Sequence, residues 1–445
     1  PQTPAEEKAM LDVVGVDAVE DLFADIPARF RFPEVDLPPG LSQLEMERRL
    51  AALADANVSL RSLTCLLGAG AYRHYAPPVV DAILQRGEFL TAYTPYQPEL
   101  AQGTLTAAFE FQSMVAALTG MEVANASLYD GASALAEATL MAARATRRDG
   151  VVLAASLSPG ARETVATYAQ GLALPIAEVP WGADGRADAD LVRKAVGAST
   201  ACLAVGYPNF FGVMEDLEVM ADIAHGAGAL LAVYANPTAL GLYAAPGDLG
   251  ADIVVGEGQP LGVPLMFGGP YLGILATRRR LMRTMPGRVV GATTDVDGRR
   301  AFVMTLRARE QDIRRQGATS NICTNQNLVA LAATVYMAAM GEEGLREVAR
   351  QCYHKAHYAR DRLAALAGYE AVFDAPHFHE FALRLPKPAA EVAGELLAEG
   401  FAGPYDLGPH YEDLAGCGLF CITEMVPREE IDRLVEVLAA LGVAA

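Results

Sequence analysis

The stretch that decides the fold is Ala251-Asp-Ile-Val-Val-Gly-Glu-Gly-Gln-Pro-Leu-Gly-Val-Pro-Leu-Met-Phe-Gly-Gly-Pro270. The β-branched residues 253–255 predict a buried strand, and residues 271–276 predict a second strand after a loop rich in glycine and proline. In α/β enzymes, loops at the ends of buried strands commonly carry the chemistry. This loop contains no lysine, histidine, cysteine, serine or aspartate. The sequence therefore predicts the frame of an active site whose reactive residue is missing.

An alternation of strands and helices surrounds this stretch, from residue 64 to about residue 319. The strand candidates are 151–154, 201–205, 230–233, 252–255 and 272–275. The helix candidates are 105–118, 132–147, 162–170, 188–196 and 215–225. The strands are apolar throughout, as expected of strands that are buried on both faces. We therefore predict an α/β fold in which helices cover both faces of a mostly parallel sheet.

Three regions are predicted along the chain. Residues 1–63 form a helical arm, because Thr3, Asp17 and Ser42 are each followed three residues later by a glutamate, a helix start signal. Such an arm packs on another domain or another subunit. Residues 64–326 form the large domain, and residues 327–445 form a small C-terminal α/β domain. Its predicted elements are an apolar helix over 327–341 that continues or restarts over 342–366, a strand at 380–385, a helix at 389–399, a strand at 418–423 and a final helix from 427.

Bulk composition narrows the functional classes. The 445 residues are 52% hydrophobic and carry a net charge of −19, which opposes binding to nucleic acid or to an anionic membrane. No apolar run reaches the roughly 18 residues of a membrane helix without glycine, proline or charge interrupting it. The acidic N-terminal sequence is unlike a signal peptide. Six scattered cysteines without a CxxC pair favour reduced thiols and a cytoplasmic location.

Positive charge is nevertheless concentrated in one segment, residues 278–315. Two interpretations stay open, a solvated face paired with nearby acidic residues or a patch that meets an acidic partner chain. The arginines of the segment are Arg278, Arg279, Arg280, Arg283, Arg288, Arg299, Arg300, Arg307, Arg309, Arg314 and Arg315. The acidic residues are Asp295, Asp297, Glu310 and Asp312.

Two loops carry side chains suited to binding. Residues 91–103 place tyrosines and amides between prolines, which fix the backbone and pre-position the polar groups. A rigid loop packed on the sheet is the alternative. Residues 68–78 include Arg73, which suits a carboxylate or phosphate, and His74, for which a core or capping role is equally open.

A turn before a predicted helix is the candidate anion site. Gly131 and the small residues beside it allow backbone N–H groups to approach a ligand at the helix N-terminus. Ordinary N-capping by Asp130 or Ser127 is the alternative. No metal site is predicted, since the histidine pairs lack a third ligand at convincing spacing. Those pairs are His354 with His357 and His377 with His379.

Long motifs throughout the chain resemble those of one family, the P-protein (glycine decarboxylase) of the glycine cleavage system, in its two-chain form. The resemblance covers nearly the whole chain. Its motifs are Gly-Ala-Gly-Ala-Tyr at 68–72, Tyr-Thr-Pro-Tyr-Gln-Pro-Glu at 93–99, Gln-Gly-Thr-Leu at 102–105, Asn-Ala-Ser-Leu-Tyr-Asp-Gly-Ala at 125–132, Gly-Glu-Gly-Gln-Pro-Leu-Gly at 256–262, Phe-Gly-Gly-Pro-Tyr-Leu-Gly at 267–273, Thr-Leu-Arg-Ala-Arg-Glu-Gln at 305–311 and Thr-Ser-Asn-Ile-Cys-Thr-Asn at 319–325.

The resemblance implies the type I fold of pyridoxal-phosphate (PLP) enzymes, similar to aspartate aminotransferase, with a seven-stranded type of sheet. The complete enzyme of the family decarboxylates glycine and passes the aminomethyl group to the lipoyl arm of the H-protein. In the two-chain form, subunit 1 pairs with a subunit 2 that holds PLP, and an α2β2 assembly is expected.

Two groups needed for PLP chemistry are missing from this chain. A lysine must hold the cofactor, and in the family it would lie near Gln259 or Pro260, yet no lysine occurs between Lys194 and Lys355. The aspartate that usually pairs with the pyridine nitrogen is also absent, because residues 230–236 contain no carboxylate. We expect no cofactor on this chain, with PLP on the partner subunit.

The resemblance and the loop chemistry together suggest site residues. Those expected to reach the active site of the partner are Arg73, His74, Tyr93, Thr94, Tyr96, Gln97 and Gln102. Those expected to form a degenerate phosphate cup are Asp130, Gly131, Ala132 and Ser133. Two alternatives stay open: a structural scaffold that only stabilises the partner, and a self-sufficient PLP enzyme that uses Lys194 or Lys355.

Overall fold

The computed structural model describes residues 2–442. Its contacts divide the chain into two units, Pro1–Ser59 and Leu60–Ala445. The domain boundaries expected at residues 63 and 326 stay predictions.

The first unit contains helices α1 (Pro4–Val14) and α2 (Gln43–Asp55). Both begin with the predicted capping box, in which the N-cap hydroxyl of Thr3 or Ser42 and a glutamate side chain satisfy the free backbone N–H groups. The helix expected from Asp17 is only a short 3-10 helix, Val19–Phe23. Neither α1 nor α2 has a buried residue. Short helices are stabilised mainly by packing of an apolar face, so these two require a surface to pack on.

The second unit contains the remaining elements described. Its helices are α3 (Pro78–Leu84), α4 (Gly87–Leu90), α5 (Gln102–Thr119), α6 (Gly131–Thr146), α7 (Pro159–Gln170), α8 (Ala189–Ala195), α9 (Leu217–Gly226), α10 (Gln311–Arg314), α11 (Asn327–Ala364), α12 (Ala389–Ala398) and α13 (Arg428–Gly442). Its strands are β1 (Thr64–Cys65), β2 (Val123–Ala124), β3 (Gly150–Ala154), β4 (Ile176–Val179), β5 (Thr200–Tyr207), β6 (Leu230–Ala235), β7 (Ile253–Glu257), β8 (Gly273–Thr277), β9 (Val289–Thr294), β10 (Arg300–Thr305), β11 (Glu370–Ala371), β12 (Glu380–Arg384), β13 (Phe401–Ala402), β14 (Tyr405–Asp406) and β15 (Cys417–Cys421).

A seven-stranded sheet forms the core of this unit, in the order β2-β8-β7-β6-β5-β3-β4. The five strands from β7 to β4 are parallel, whereas β8 runs antiparallel to both of its neighbours. Every residue of β5 and β7 is buried. The predicted sheet, with strands buried on both faces, is confirmed.

Helices cover both faces of this sheet, and successive residues of one strand face opposite sides. In β3, Val152 belongs to the apolar cluster that includes Phe111 of α5, whereas Val151 and Leu153 belong to the cluster that includes Leu135 of α6. This alternation places α6 against the strands β5 to β8. The start of α6 therefore meets the ends of β6 and β7.

A smaller four-stranded sheet, β11-β12-β15-β14, follows in the chain and packs with the second half of α11 and with α12 and α13. The predicted strands at 380–385 and 418–423 and the predicted helices at 389–399 and from 427 are all present. Residues Thr64 and Cys65 form β1, which pairs in parallel with β13 from the C-terminal part of the chain.

The arginine-rich segment contains a hairpin that the sequence analysis did not predict. Strands β9 and β10 pair antiparallel around a turn in which the Asp295 carboxylate accepts N–H groups from Asp297 and Arg299. Phe302 of β10 packs with Phe109 of α5, their ring centroids 4.9 Å apart. The hairpin thus lies against α5, next to the loop that precedes this helix.

Helix α11 spans the two predicted helices 327–341 and 342–366, with a break at Gly341, where φ is 61°. By length and composition alone, α11 is a candidate for crossing a membrane, although Gly341 and the charges after it interrupt its apolar run, as the sequence analysis noted. Its apolar residues include Ala333, Tyr336 and Met337, which are buried in the core of this unit. A core helix can have the same length and composition.

Candidate functional site

The carboxyl ends of β5, β6 and β7 meet at a small cavity of about 40 Å³ that opens to solvent. The carboxyl ends of the strands are where open α/β sheets bind small ligands. Its lining residues are Gly70, Tyr72, Leu157, Ser158, Gly206, Pro208, Asn209, Phe210, Tyr234, Ala235, Asn236 and Glu257.

Gln259 lies beside this cavity, in the loop that follows β7, and its side chain is fixed by backbone groups. Only 1% of the residue is exposed. Its Oε1 accepts the N–H of Tyr72 (2.9 Å), and its Nε2 donates to the carbonyls of Tyr72 (2.8 Å) and Val263 (2.7 Å). The side-chain amide of Gln259 therefore joins the loop after β7 to the segment that contains Tyr72.

Glu257 ends β7, and its carboxylate is held by three backbone N–H groups. Oε2 accepts from Gly131 (2.9 Å), and Oε1 accepts from Gln259 (2.9 Å) and Leu272 (2.8 Å). Burial raises the pKa of Glu257 to about 7, and the charge of Asp130 adds to this effect, while the three N–H groups favour the ionised form. The sequence analysis did not identify this glutamate as a site residue.

The predicted phosphate cup is a capped helix start in which the N–H groups of Gly131 and Ser133 have partners within the chain. Asp130 is the N-cap of α6, and its carboxylate accepts the N–H of Ser133 (2.7 Å), so the capping alternative is realised. The Ser133 hydroxyl returns a hydrogen bond to the Asp130 carbonyl. The Glu257 carboxylate accepts the N–H of Gly131. Ala132, which lies between Gly131 and Ser133 in the chain, is half-buried.

Space at this helix start is also filled. A Cβ atom added to Gly131 would lie 2.4 Å from the Tyr234 hydroxyl and 2.8 Å from the backbone nitrogen of Glu257. These distances are far below van der Waals contact, so the close approach requires glycine. The end of β6 supplies Tyr234, Ala235 and Asn236 here, and Asn236 lies 3.2 Å from Nε2 of His379.

PLP therefore does not fit the residues present. The lining of the cavity contains no amine. The region expected for the lysine holds Gln259 and Pro260, the N–H group of Gly131 at the helix start is bound to Glu257, and no carboxylate follows Tyr234 at the end of β6. Lys194 is an exposed residue of α8, and Lys355 donates to the carbonyl of Glu424 (2.6 Å).

Of the residues expected to reach a partner, two in the first loop have partners within the chain. His74 has a side chain that is 2% exposed, and its Nδ1 lies 2.7 Å from a carboxylate oxygen of Glu424. Arg73 is half-buried and donates to the carbonyl of Leu63 (3.4 Å). The core alternative for His74 thus agrees with its contacts.

His74, Cys352 and Glu424 are close enough together to be considered as metal ligands, since their ligand atoms lie within 4.8 Å of one another. The Glu424 carboxylate already pairs with both other side chains, because Cys352 Sγ donates to it (3.3 Å) and His74 Nδ1 lies 2.7 Å away. The Lys355 ammonium beside Glu424 opposes a further cation. In the two histidine pairs considered from the sequence, one member of each pair stacks on the other, with the rings of His357 and His377 3.9 Å apart.

The second loop, residues 91–103, presents several of its predicted residues at the surface. Tyr93 is 73% exposed, with its hydroxyl 3.3 Å from Thr324 Oγ1. Tyr96 is 49% exposed, and two guanidinium groups lie over its ring, Arg288 at 5.9 Å and Arg307 at 5.4 Å. Aromatic faces hold cations in this way.

The other residues of this loop differ in their exposure. Gln97 is exposed and Thr94 is half-buried. Gln102 points inward, since its amide pairs with both backbone groups of Phe302 and donates to the carbonyl of Pro98. The loop is therefore anchored by Gln102 and displays Tyr93, Tyr96 and Gln97.

The matches to known proteins cover nearly the whole chain. The sequence model of the glycine cleavage system P-protein matches residues 1–438. A protein of Thermomicrobium roseum named probable glycine dehydrogenase (decarboxylating) subunit 1 is 52% identical over 442 residues, which are 98% of each chain. A crystal structure of glycine decarboxylase (P-protein) in inhibitor-bound form superposes with a TM-score of 0.93 at 43% identity, covering 99% of both chains. A sphingosine-1-phosphate lyase of Burkholderia pseudomallei shares the fold alone, with a TM-score of 0.67 at 18% identity and 94% coverage of both chains.

Proposed function

The chain belongs to the glycine cleavage system P-protein family, and from this membership we propose that it is subunit 1 of a two-chain glycine dehydrogenase (decarboxylating). With subunit 2 it converts glycine and the oxidised lipoyl arm of the H-protein into CO2 and the aminomethyl-dihydrolipoyl carrier. The glycine carboxylate leaves as CO2, and the lipoyl disulfide is reduced as one sulfur takes the aminomethyl group. The fold is that of type I PLP-dependent enzymes, the fold of its structural relatives.

The observation that carries this proposal is the filled PLP position of this chain. Gln259 stands at the lysine position with its amide bound to the Tyr72 backbone, and Glu257 takes the helix N–H group of Gly131. A chain with this pocket needs a second chain to supply the cofactor. We place PLP on subunit 2, and the isolated chain is then inactive.

The exposed side of the 91–103 loop is proposed to complete the active site of subunit 2. Tyr93, Tyr96 and Gln97 are the predicted site residues free to meet another chain. Prolines on both sides fix their positions, which favours a positioning role. Gln102 anchors this surface from inside, through its hydrogen bonds to the Phe302 backbone, whereas Arg73 and His74 contact Leu63 and Glu424 within the chain.

The assembly proposed is α2β2 in the cytoplasm, with the lipoylated H-protein as a transient partner. The apolar arm without buried helix residues provides contact surface for subunit 2. The arginine-rich segment is positively charged, although the chain as a whole carries a net charge of −19. The segment therefore suits an acidic face of a partner. Two of its arginines, Arg288 and Arg307, adjoin Tyr96 itself.

Exchange of glycine with labelled bicarbonate by the assembled complex tests the proposal. Tyr96→Leu removes an exposed ring and is expected to lower the exchange rate about tenfold or more without changing assembly, since orientation effects of this size accompany misplaced site groups. Tyr358→Leu is the matched control, because Arg362 and Arg428 lie over that ring at 5.5 and 5.1 Å. It is expected to leave the exchange rate per complex unchanged.

The outcomes separate the alternatives. A scaffold role predicts that Tyr96→Leu alters assembly and never turnover. A self-sufficient enzyme predicts that borohydride reduction of this chain with PLP yields a pyridoxyl adduct on Lys194 or Lys355. Either result would overturn the proposed role.

A further inference from the structure

The carboxylate of Glu257 occupies the position at the start of α6 where a phosphate group would be bound in a helix-capped anion site. A phosphate at such a site is bound by backbone N–H groups and by the positive end of the helix. Glu257 Oε2 takes the N–H of Gly131, the first residue of the helix, at 2.9 Å. We propose that Glu257 is a built-in substitute for phosphate, which excludes phosphorylated ligands independently of the missing lysine.

Two further features favour exclusion over weak binding. Asp130 places a second carboxylate at the same helix start, so a phosphate dianion would face two negative charges of this chain. The Glu257 carboxylate itself fills the space in front of the Gly131 N–H, with Oε2 2.9 Å from the nitrogen. Both the charge and the space available oppose the phosphate.

The loss of cofactor binding therefore has two separable causes. Gln259 removes the amine, and Glu257 removes the phosphate position, although only one residue separates them in the chain. Restoring the lysine alone is then expected to create a site for an aldehyde with no preference for its phosphate. The inference deepens the proposed function, on which it rests for the class of ligand, a phosphorylated pyridoxal.

The experiment compares PLP with pyridoxal, which differs only in lacking the phosphate. Each is titrated against the assembled complex, reduced with borohydride and scored as adduct on residue 259 by peptide mapping, which separates this site from PLP on the partner. Gln259→Lys is expected to give equal apparent affinities for the two aldehydes. Gln259→Lys with Glu257→Ala is expected to favour PLP about tenfold or more, as one hydrogen bond to a charged group contributes.

A matched control keeps the position filled. Gln259→Lys with Glu257→Gln retains a side chain of the same shape and is expected to show no preference for PLP. If the alanine variant does not assemble, Glu257→Ser takes its place, because its hydroxyl still accepts a backbone N–H. A preference for PLP in the Gln259→Lys variant alone, or in the Glu257→Gln control, would overturn the proposal, as would no preference in the alanine or serine variant.

These outcomes are independent of turnover. If Glu257 proves not to exclude phosphate while Tyr96→Leu still abolishes exchange, only the inference about this pocket fails. If exchange is unaffected by Tyr96→Leu while the aldehyde preferences are as expected, the proposed contribution to the partner fails instead.

Discussion

Substitution of Glu380 by glutamine is expected to stabilise the protein at alkaline pH. Glu380 is a buried residue of β12, where Oε1 accepts the N–H of Ala69 (2.6 Å) and Oε2 accepts the hydroxyl of Tyr72 (2.8 Å). Burial raises the pKa of Glu380 to about 7, although both hydrogen bonds favour the ionised form. Glutamine keeps the shape, and its Oε1 can retain the N–H of Ala69, while the rotatable Tyr72 hydroxyl can accept from Nε2.

The sign follows from proton linkage. The folded protein holds the Glu380 proton more tightly than the unfolded chain, whose glutamates titrate near 4.5. Its contribution to stability is therefore fully present below pH 4.5 and is lost as the pH rises through 7. The difference between these two pKa values corresponds to at most about 3 kcal/mol. For a chain of this length, that is about 3 °C in the thermal midpoint.

Thermal unfolding of wild type and Glu380→Gln between pH 5 and pH 9 is the measurement. The two midpoints are expected to lie within about 1 °C at pH 5, and the variant is expected to be higher by about 3 °C at pH 9. Glu218→Gln, which removes a carboxylate from an exposed position of α9, controls for the change in net charge. If the thermal midpoint of the wild type rises relative to that of the variant as the pH increases, the site favours the ionised carboxylate and the reasoning is refuted.

Two further predictions concern packing and thiol reactivity. Gly131→Ala is expected to destabilise the protein by about 1–3 kcal/mol, because the new methyl group would meet the Tyr234 hydroxyl and the β7 backbone. Gly160→Ala is the control, because its added Cβ atom meets nothing within 4 Å, and its thermal midpoint is expected to equal or exceed that of the wild type. Thermal unfolding of both variants is the measurement. Cys323 is the exposed cysteine, and burial raises the pKa of the thiols of Cys65, Cys202, Cys352, Cys417 and Cys421. Thiol titration should show one fast equivalent that disappears in Cys323→Ser, and a persisting fast phase would contradict this.

Local patterns were sufficient for the sheet and insufficient for the site. The strands β5 and β7 are buried on both faces, so short, continuous apolar runs bounded by turn residues were enough to identify them. The β9–β10 hairpin was missed, because its strands are only partly buried and mix apolar with polar residues, so they carry no such pattern. Its position depends on partners far away in sequence, as when the Gln102 amide pairs with the Phe302 backbone 200 residues later.

Glu257 was overlooked for the same physical reason. In sequence it is a glutamate between two glycines, and only the fold brings it to Gly131, 126 residues earlier. The absence of lysine, by contrast, could be recognised from the sequence, since it depends on residue type alone. The available signal was the charge itself, because a carboxylate at the end of an otherwise apolar buried strand requires several donors to offset its burial.

The substitutions in the pocket also explain how this loop keeps its shape without a cofactor. In a PLP enzyme the bond between lysine and cofactor and the phosphate contacts tie the loop after the strand to the pocket. Here Gln259 makes three hydrogen bonds to Tyr72 and Val263, and Glu257 accepts three from Gly131, Gln259 and Leu272. Six internal contacts thus hold this loop without a ligand. They are consistent with the proposed function, in which the framework of this chain stays intact while the partner subunit holds PLP and carries out the chemistry.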